Sequence, residues 1–256
     1  MPGPEPAVRD SLAPADVEPL LRGGFGRPYV YRDRCETTQR LLDPTLDEGA
    51  VAVCDEQTLG RGRLGREWLA PRGTSILCSL LLRPPEERRV AELSLVGGVA
   101  TALTVERALA LATQIKWPND VMVNRRKVAG VLAEAAVEGA VVLGVGINVN
   151  QTRDELPPET TVPPASLLTI DAVHRVRGPL LADLVLEVER AYKLWAAGGL
   201  DALYEELGAR DFLRHRKIFL DGETGYAVGI NRSGALAVDL AGERRLIESG
   251  DVRYER

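Results

Sequence analysis

The sequence predicts an α+β fold followed by a small all-β unit. Along residues 29–212, hydrophobic runs of strand length alternate with stretches of helical periodicity, and the strand spacing is typical of an antiparallel or mixed sheet. From Lys217 onward the chain changes to short alternating strands separated by Gly, Asn and Asp, as in a small β-barrel. We therefore expect an extended, Pro/Gly-rich segment over 1–28, a main domain over 29–212 and a small domain over 213–256.

Each element rests on a local pattern. Apolar runs bounded by turn residues predict strands at Pro28–Arg32, Ala50–Asp55, Thr74–Leu82, Gln114–Trp117, Val121–Asn124, Val128–Ala136 and Ala140–Asn148. Apolar residues at helical spacing predict helices at Asp16–Leu21, Thr37–Leu42, Ala91–Thr113, Pro179–Ala197 and Leu200–Leu207. The stretch Glu56–Gly73 contains four glycines and four arginines. It is predicted to be a functional loop, because compact domains seldom keep so long a segment without structure otherwise.

Composition and charge disfavour several classes of protein. The 256 residues are 45% hydrophobic and 27% charged, which fits a globular chain with its own core. A net charge of −5 argues against a nucleic-acid-binding protein, although a local basic patch would suffice for one. Three scattered cysteines and two histidines argue against a disulfide framework or a zinc site. Neither a membrane span nor a signal peptide is evident, so we expect a cytoplasmic protein.

The run Gly60–Arg66 (GRGRLGR) is the first motif with chemical meaning. Glycine lets the backbone approach a ligand closely, and arginines at alternate positions supply fork-shaped donors for carboxylate or phosphate. The run therefore fits an anionic ligand. A solvated basic turn, or an arm that enters the minor groove of DNA, would have the same sequence. A P-loop is excluded, because no Lys-Ser or Lys-Thr pair follows.

Three further motifs lie at predicted strand ends. In Lys116–Asp120 (KWPND), a lysine that could neutralise a phosphate precedes a turn whose Asn and Asp could hold a metal or a ligand hydroxyl. In Lys127–Leu132 (KVAGVL), a lysine heads an apolar strand in which Gly130 indicates a bulge or a close backbone approach. In Gly144–Asn150 (GVGINVN), an apolar strand ends in amides that could contact a ribose or a base. Each motif alone also fits an ordinary turn or strand end.

Together and in this order, the motifs resemble those of the biotin protein ligases, also called biotin–[acetyl-CoA-carboxylase] ligases. The resemblance extends from Tyr31 to the C terminus. It rests on ETTQ at 36–39, QTLGRGRLGR with Trp68, KWPND, KVAGVL, GVGINVN and a C-terminal GALAVDL…RRLIESGDVR. It implies a class II aminoacyl-tRNA-synthetase-like catalytic domain with a mixed sheet, followed by a small SH3-like β-barrel domain.

The resemblance also implies a two-step reaction. The biotin carboxylate attacks the α-phosphate of ATP to give biotinyl-5′-AMP and pyrophosphate, and a lysine of a biotin carboxyl carrier protein then displaces AMP. The match to the family makes Lys127, Arg63 and Lys116 the catalytic residues. Lys127 would stand beside the biotin carboxylate and α-phosphate, Arg63 would retain the intermediate, and Lys116 would stabilise phosphates. Such a site must align two anions, neutralise growing charge and exclude water.

The same match assigns the binding residues. The biotin-binding set is Thr37, Thr38, Gln39, Gln57, Gly60, Arg61, Gly62, Arg63, Lys127 and Gly130. The ATP- and adenylate-binding set is Arg61, Arg63, Arg66, Lys116, Asn119, Asp120, Lys127 and Asn148. The family commonly has Ser-Thr-Asn or Ser-Thr-Gln where this chain has Thr37-Thr38-Gln39, and threonine keeps the hydroxyl. No metal ligands are predicted, and Mg²⁺ is expected to arrive with ATP, held mostly by phosphate oxygens and waters.

The family resemblance also limits the partners. Members that act as repressors carry an N-terminal winged helix-turn-helix, and the 36 residues before Thr37 leave no room for one. We therefore expect no specific DNA binding, no membrane association and a homodimer that is weak in some relatives.

Three rival interpretations stay open. A ligase for lipoate or octanoate belongs to the same superfamily, but those relatives lack the GRGR-x-GR run. A nucleic-acid-binding module that uses the arginine run predicts binding that weakens steeply with salt. A scaffold with a dead site is disfavoured by the joint presence of Arg61, Arg63, Lys116 and Lys127.

Overall fold

The computed structural model describes residues 10–158 and 162–255, and its larger β-sheet has seven strands. These are β1 (Tyr29–Cys35), β2 (Val51–Gln57), β3 (Ser75–Leu82), β4 (Gln114–Lys116), β5 (Asp120–Val123), β6 (Arg126–Ala135) and β7 (Val141–Asn148). They lie in the order β1-β2-β3-β7-β6-β5-β4. Strands β1 and β2 are parallel and all other neighbours are antiparallel, which confirms the predicted mixed sheet.

The described chain also contains the α-helices α1 (Pro14–Val17), α2 (Leu93–Leu109), α3 (Leu167–Asp171), α4 (Arg177–Gly198) and α5 (Tyr204–Arg210). Helices α2 and α4 pack against each other and against the larger sheet. Helix α2 is shorter than predicted, because Val90–Glu92 is a 3-10 turn and Ala110 ends the helix in the left-handed conformation. None of the helices in these ranges is both long and apolar enough to cross a bilayer.

Two short segments differ from the sequence prediction. The predicted helix at Thr37–Leu42 is a single 3-10 turn, Thr38–Arg40. Pro44 follows closely and disfavours helical conformation at the residue before it. Helix α3 was not predicted. It begins at a capping box in which the amide of Thr169 donates to the Ser166 hydroxyl, a short signal that the sequence analysis missed.

The prediction of an extended N-terminal segment is wrong for residues 10–28, and residues 1–9 lie outside the described ranges. Helix α1 and a 3-10 turn at Glu18–Leu20 replace the predicted Asp16–Leu21 helix. Four apolar side chains from this segment are buried in the main core, and they are Leu12, Val17, Leu21 and Phe25. Because this segment packs on β1 and α4, it is part of the fold.

The predicted small β unit is a five-stranded antiparallel sheet. Its strands are β8 (Lys217–Leu220), β9 (Glu223–Ile230), β10 (Leu236–Leu240), β11 (Glu243–Ile247) and β12 (Arg253–Tyr254), in the order β11-β10-β9-β8-β12. Asp221-Gly222 and Ala241-Gly242 form two-residue hairpin turns with positive φ at both positions, which suits the strand twist. One hydrophobic core runs through both sheets. The indole Nε1 of Trp117 also donates to the Gly234 carbonyl at 2.9 Å, which ties the small sheet to the larger one.

A buried ionic network holds the N-terminal segment and α4 to the larger sheet. The Arg177 side chain is 3% exposed and pairs with Asp10 at 3.0 Å and with Asp55 at 2.8 Å. Its guanidinium also donates to the Ser75 carbonyl. Three distant parts of the chain therefore depend on one arginine for their charge balance.

Replacing Arg177 by methionine is expected to lower the free energy of unfolding by about 3–5 kcal/mol, because Asp10 and Asp55 lose a buried counter-charge. Urea unfolding measures this. The control is Arg22→Ala, which breaks an exposed pair with Asp183 and should cost about 1 kcal/mol or less. Equal losses in the two variants would contradict the role given to Arg177.

Candidate functional site

A cavity of about 440 Å³ lies over strands β3, β6 and β7. Along these strands the bulky aliphatic side chains belong to the core packed with α2 and α4. Side chains alternate between the two faces of a strand. Several positions on the cavity face are small, namely Ser79, Gly130, Gly144 and Gly146. The missing side-chain volume leaves the sheet hollow at its centre.

The Trp68 ring lies on this hollow floor. A Cβ atom added to Gly130 would stand 2.8 Å from the ring, and one added to Gly146 would stand 2.6 Å from it. At Gly130, where the sequence indicated a bulge or a close backbone approach, the neighbouring group is the Trp68 ring. The indole nitrogen of Trp68 is buried and has no hydrogen-bond partner among residues 10–158 and 162–255. A buried donor without an acceptor is costly, so the floor is incomplete without a further polar group.

The arginine-rich loop, residues 58–74, borders the cavity. Arg61 and Glu67 form an isolated β-bridge, and between them Arg63–Gly65 makes one 3-10 turn. Gly60 accepts a hydrogen bond from the Trp68 amide at 2.9 Å. A Cβ at Gly60 would lie 2.3 Å from the Trp68 carbonyl oxygen, so only glycine fits there. Gly60 thus holds the backbone of Trp68 and does not line the cavity.

Five cations of the predicted set line the cavity: Arg61, Arg63, Arg66, Lys116 and Lys127. Three are paired: Lys127 with Asp120 at 2.6 Å, Arg61 with Glu134 at 3.2 Å, and Arg66 with Asp251. Within the described part of the chain, Arg63 and Lys116 form no ion pair. The cavity therefore holds positive charge that no carboxylate of the described residues directly neutralises.

Burial makes this charge costly. It lowers the pKa of Lys116, which is 3% exposed, while the nearby Asp120 and Asp251 oppose the shift. Burial also lowers the pKa of Arg63, and the same two carboxylates oppose it. Both cations therefore lie within electrostatic range of both carboxylates. An anionic ligand that paired with Arg63 and Lys116 would offset the cost of desolvating them.

A polar cluster lies on another wall of the cavity. The amide of Thr38 donates to Gln57 Oε1 at 2.7 Å, and its hydroxyl stands 3.2 Å from the same oxygen. The Ser79 hydroxyl is 2.8 Å from the Thr38 hydroxyl, so Thr38 can donate to Gln57 while it accepts from Ser79. Thr37 is also buried. This wall can present both donors and acceptors in a dry setting.

The Gln39 side chain passes over the glycine floor. Its Nε2 is 3.4 Å from the Leu132 carbonyl, and a Cβ at Gly144 would stand 3.0 Å from that nitrogen. The Gln39 Oε1 is buried without a partner among residues 10–158 and 162–255. The cavity therefore offers an unused acceptor as well as the unused Trp68 donor.

Two asparagines are fixed by the backbone around the cavity. Asn119 Nδ2 donates to the Val131 carbonyl at 2.9 Å, and the Val131 amide returns a bond to the Asn119 carbonyl. Asn148 Nδ2 donates to the Ala165 carbonyl at 3.0 Å, and Asn148 Oδ1 accepts from Gln151 Nε2 at 3.1 Å. Among the described residues, no group of three or more His, Cys, Asp or Glu side chains forms a metal site.

The structure brings the predicted site residues to one place. All of them line the cavity except Gly60, which lies behind it. Four further lining residues were not predicted from the sequence, namely Ser79, Gly144, Gly146 and Asp251. The small residues on β3 and β7 were a usable signal because they interrupt runs of bulky aliphatics. No sequence signal pointed to Asp251, because it lies far along the chain, between β11 and β12 of the small sheet.

The comparisons with known proteins agree with this geometry. A family model described as the biotin/lipoate A/B protein ligase family matches residues 31–151. The bifunctional ligase/repressor BirA of Bacillus spizizenii is 33% identical over 243 residues, which cover 89% of this chain and 74% of that protein. The biotin–[acetyl-CoA-carboxylase] ligase of Paracoccus denitrificans is 36% identical over 228 residues, which cover 83% of this chain and 93% of that protein.

A solved structure extends the likeness to the fold. The biotin protein ligase from Aquifex aeolicus, in complex with biotin and ATP, matches with a TM-score of 0.79 at 28% identity. The match covers 89% of this chain and 98% of that one. The chain thus belongs to the biotin/lipoate A/B protein ligase family, and within that family to the biotin protein ligases.

Proposed function

We propose that the cavity binds biotin and ATP, joins them as biotinyl-5′-AMP, and passes the biotinyl group to a lysine of a biotin carboxyl carrier protein. The observation that carries the proposal is the buried Lys116 and the half-buried Arg63, which form no ion pair with a described residue and line the same cavity as Lys127. A carboxylate and a phosphate repel each other in water, and a desolvated cationic site removes that barrier.

In the first step a biotin carboxylate oxygen attacks the α-phosphorus, and pyrophosphate leaves with the bonding electrons. Lys127 is assigned the contact with both the carboxylate and the α-phosphate, and its presence in the cavity, with the ammonium 5.4 Å from the Trp68 ring centroid, supports this. Asp120 fixes that ammonium at 2.6 Å. Arg63 and Lys116 neutralise the charge that grows on the phosphate oxygens.

In the second step the amine of the acceptor lysine attacks the acyl carbon, and AMP leaves. Before that attack the mixed anhydride must be kept from water. The arginine-rich loop supplies this cover, with Arg63 and Arg61 at the carboxylate–phosphate junction. Gly62, between them, keeps the loop backbone free of a side chain at that point.

The ring system of biotin fits the polar wall. Its ureido oxygen needs donors, which the Thr37 hydroxyl and the Thr38 hydroxyl provide once the Thr38 proton turns from Gln57 to the ligand. Its ureido N–H groups need acceptors, and the unpaired Gln39 Oε1 and the Gln57 amide oxygen provide them. The Trp68 ring, which lies against Gly130 and Gly146, offers an apolar surface to the apolar part of the ring system. Each polar atom of the ligand thus meets a group that is otherwise unsatisfied or shared.

The nucleotide lies toward Asn119, Asp120 and Asn148, with Arg66 at the pyrophosphate. ATP carries Mg²⁺ as part of the substrate. Asp120 and Asp251 are both ion-paired, so phosphate oxygens and waters supply most of the ligands of that ion.

The wider assignment rests on the family resemblance. It comprises a class II aminoacyl-tRNA-synthetase-like catalytic domain over 29–212 and an SH3-like barrel over 213–256. It also includes a homodimer, a cytoplasmic location and no specific DNA binding. The five-stranded antiparallel sheet supports the barrel assignment.

Pyrophosphate release with MgATP and either biotin or lipoate tests the proposed function. Release with biotin alone is expected, because the polar wall matches a ureido group and lipoate has none. Release with lipoate alone would favour the related lipoate ligases. Release with neither substrate would overturn the proposal.

Lys127→Ala is expected to lower the rate of biotin-dependent pyrophosphate release by about 10²- to 10³-fold, as loss of one preorganised charge donor does. Rapid-quench assays measure the rate. The control is Lys193→Ala, whose side chain is 65% exposed and should leave the rate unchanged. A near-normal rate in Lys127→Ala would refute the assigned role.

Arg63→Gly is expected to leave adenylate formation active but to raise the dissociation rate of biotinyl-5′-AMP by about 10- to 100-fold, through loss of charge-assisted hydrogen bonds. Lysines on bystander proteins then become labelled at a distance. Arg72→Gly is the matched control in the same loop, because Arg72 is 57% exposed and pairs with Asp33. If Arg63→Gly retained biotinyl-5′-AMP as tightly as the parent does, this role of Arg63 would be contradicted.

A further inference from the structure

Two thiols outside the cavity lie in contact. Cys35 ends β1 and Cys54 lies on the neighbouring β2. Their Sγ atoms are 3.0 Å apart, and both cysteines are free. The remaining cysteine, Cys78, is buried on β3. The chain therefore places a dithiol at the edge of its larger sheet, next to the strand ends that carry the polar wall of the cavity.

The two thiols are not equivalent. Cys35 is half-buried and can be reached from solvent, whereas Cys54 is fully buried. The side-chain contact with Cys54 lowers the pKa of Cys35, and the charge of Arg32 acts in the same direction. The same contact raises the pKa of Cys54. An accessible thiol that favours the thiolate, backed by a buried second thiol, is the arrangement of a nucleophilic and a resolving cysteine.

We propose that Cys35 and Cys54 form a thiol–disulfide exchange site that takes a small disulfide such as oxidised glutathione. The Cys35 thiolate attacks one sulfur of that disulfide, forms a mixed disulfide and releases one glutathione thiolate. The Cys54 sulfur then attacks Cys35 Sγ, forms the Cys35–Cys54 bond and releases the second glutathione. The protein loses two electrons and two protons, and the oxidant gains them as two thiols.

A Cys35–Cys54 disulfide would alter the polar wall of the cavity through the backbone. The Cys35 carbonyl accepts from the Thr58 amide at 2.9 Å, so the end of β1 holds the start of the arginine-rich loop. Three residues beyond each cysteine come Thr38 and Gln57, which bond to each other. A disulfide needs the sulfurs at about 2.05 Å, so the 3.0 Å contact must shorten by about 1 Å. We expect oxidation to disturb the Thr38–Gln57 contact, a consequence that rests on the proposed function.

The exchange is tested on the full chain with oxidised glutathione as the probe. Intact-mass measurement and peptide mapping follow the parent, Cys35→Ser, Cys54→Ala and the matched control Cys78→Ala, each checked for folding by circular dichroism. The parent and Cys78→Ala should lose two hydrogens and join Cys35 to Cys54. Cys54→Ala should keep one glutathione on Cys35, because its resolving thiol is gone. Cys35→Ser should stay unmodified.

Three results would overturn the exchange site. They are a parent that stays reduced under these conditions, a parent that retains glutathione on Cys35, and a Cys35→Ser variant that takes up glutathione at Cys54. If Cys54→Ala does not fold, the parent and Cys35→Ser decide the question alone, because only the parent can form the bond.

Biotin titration of the reduced, oxidised and re-reduced parent tests the coupling. Oxidation should weaken biotin binding by about tenfold or more. A displacement of about 1 Å in the groups that contact a ligand has effects of that size or larger. Reductant should restore it, and Cys35→Ser should show no change. Unchanged affinity in a fully oxidised parent would refute the coupling. Failure of the reduced parent to bind biotin would instead refute the proposed function, while the mass measurement still decides the exchange site.

Discussion

Three glycines in the larger sheet, Gly130, Gly144 and Gly146, lie on the face turned away from α2 and α4. At these three positions the face has no side chain. Protein interiors are close-packed, so a hollow of this kind is filled from outside the sheet. Trp68 lies over two of these glycines, and Gln39 lies over the third. The loop that carries Trp68 also carries the arginines. The glycine floor therefore decides where the loop rests and brings its charges to the ends of β4 and β6.

Only some of the cations around this cavity are ion-paired. Lys127 and Arg66 have carboxylate partners, whereas the buried Lys116 and the half-buried Arg63 form no ion pair with a described residue and are affected at longer range by Asp120 and Asp251. Asp251 belongs to the segment between β11 and β12, so the small sheet contributes to the electrostatics of the cavity. A protein that keeps unpaired cations desolvated loses stability, and an anionic ligand recovers it. Among the described residues, the cavity thus has more positive charge than its ion pairs neutralise, which favours an anionic ligand.

Sequence patterns predicted the sheet well because its strands are long apolar runs with clear turns between them. They failed at 10–28, where Pro and Gly suggested an extended chain although Val17, Leu21 and Phe25 pack in the core. The cavity was predictable to the extent that its residues sit in local motifs. Ser79 and Asp251 could not be placed, because the partners that give them meaning, Thr38 and Arg66, are distant in sequence. The arrangement of Cys35 and Cys54 was hidden for the same reason, since only strand pairing brings them together.

We propose that Lys116, buried and without an ion-pair partner among the described residues, receives the phosphate joined to the biotin carboxylate. Calorimetric titration of a non-hydrolysable biotinyl-5′-AMP analogue, and of biotin alone, into the parent and Lys116→Met measures this role. Methionine keeps the packing of the lysine stem and removes its charge. Lys116→Met should lose about 10- to 100-fold in affinity for the analogue and little for biotin, as removal of one charge-assisted contact requires. Unchanged affinity for the analogue, or an equal loss for biotin, would rule this role out.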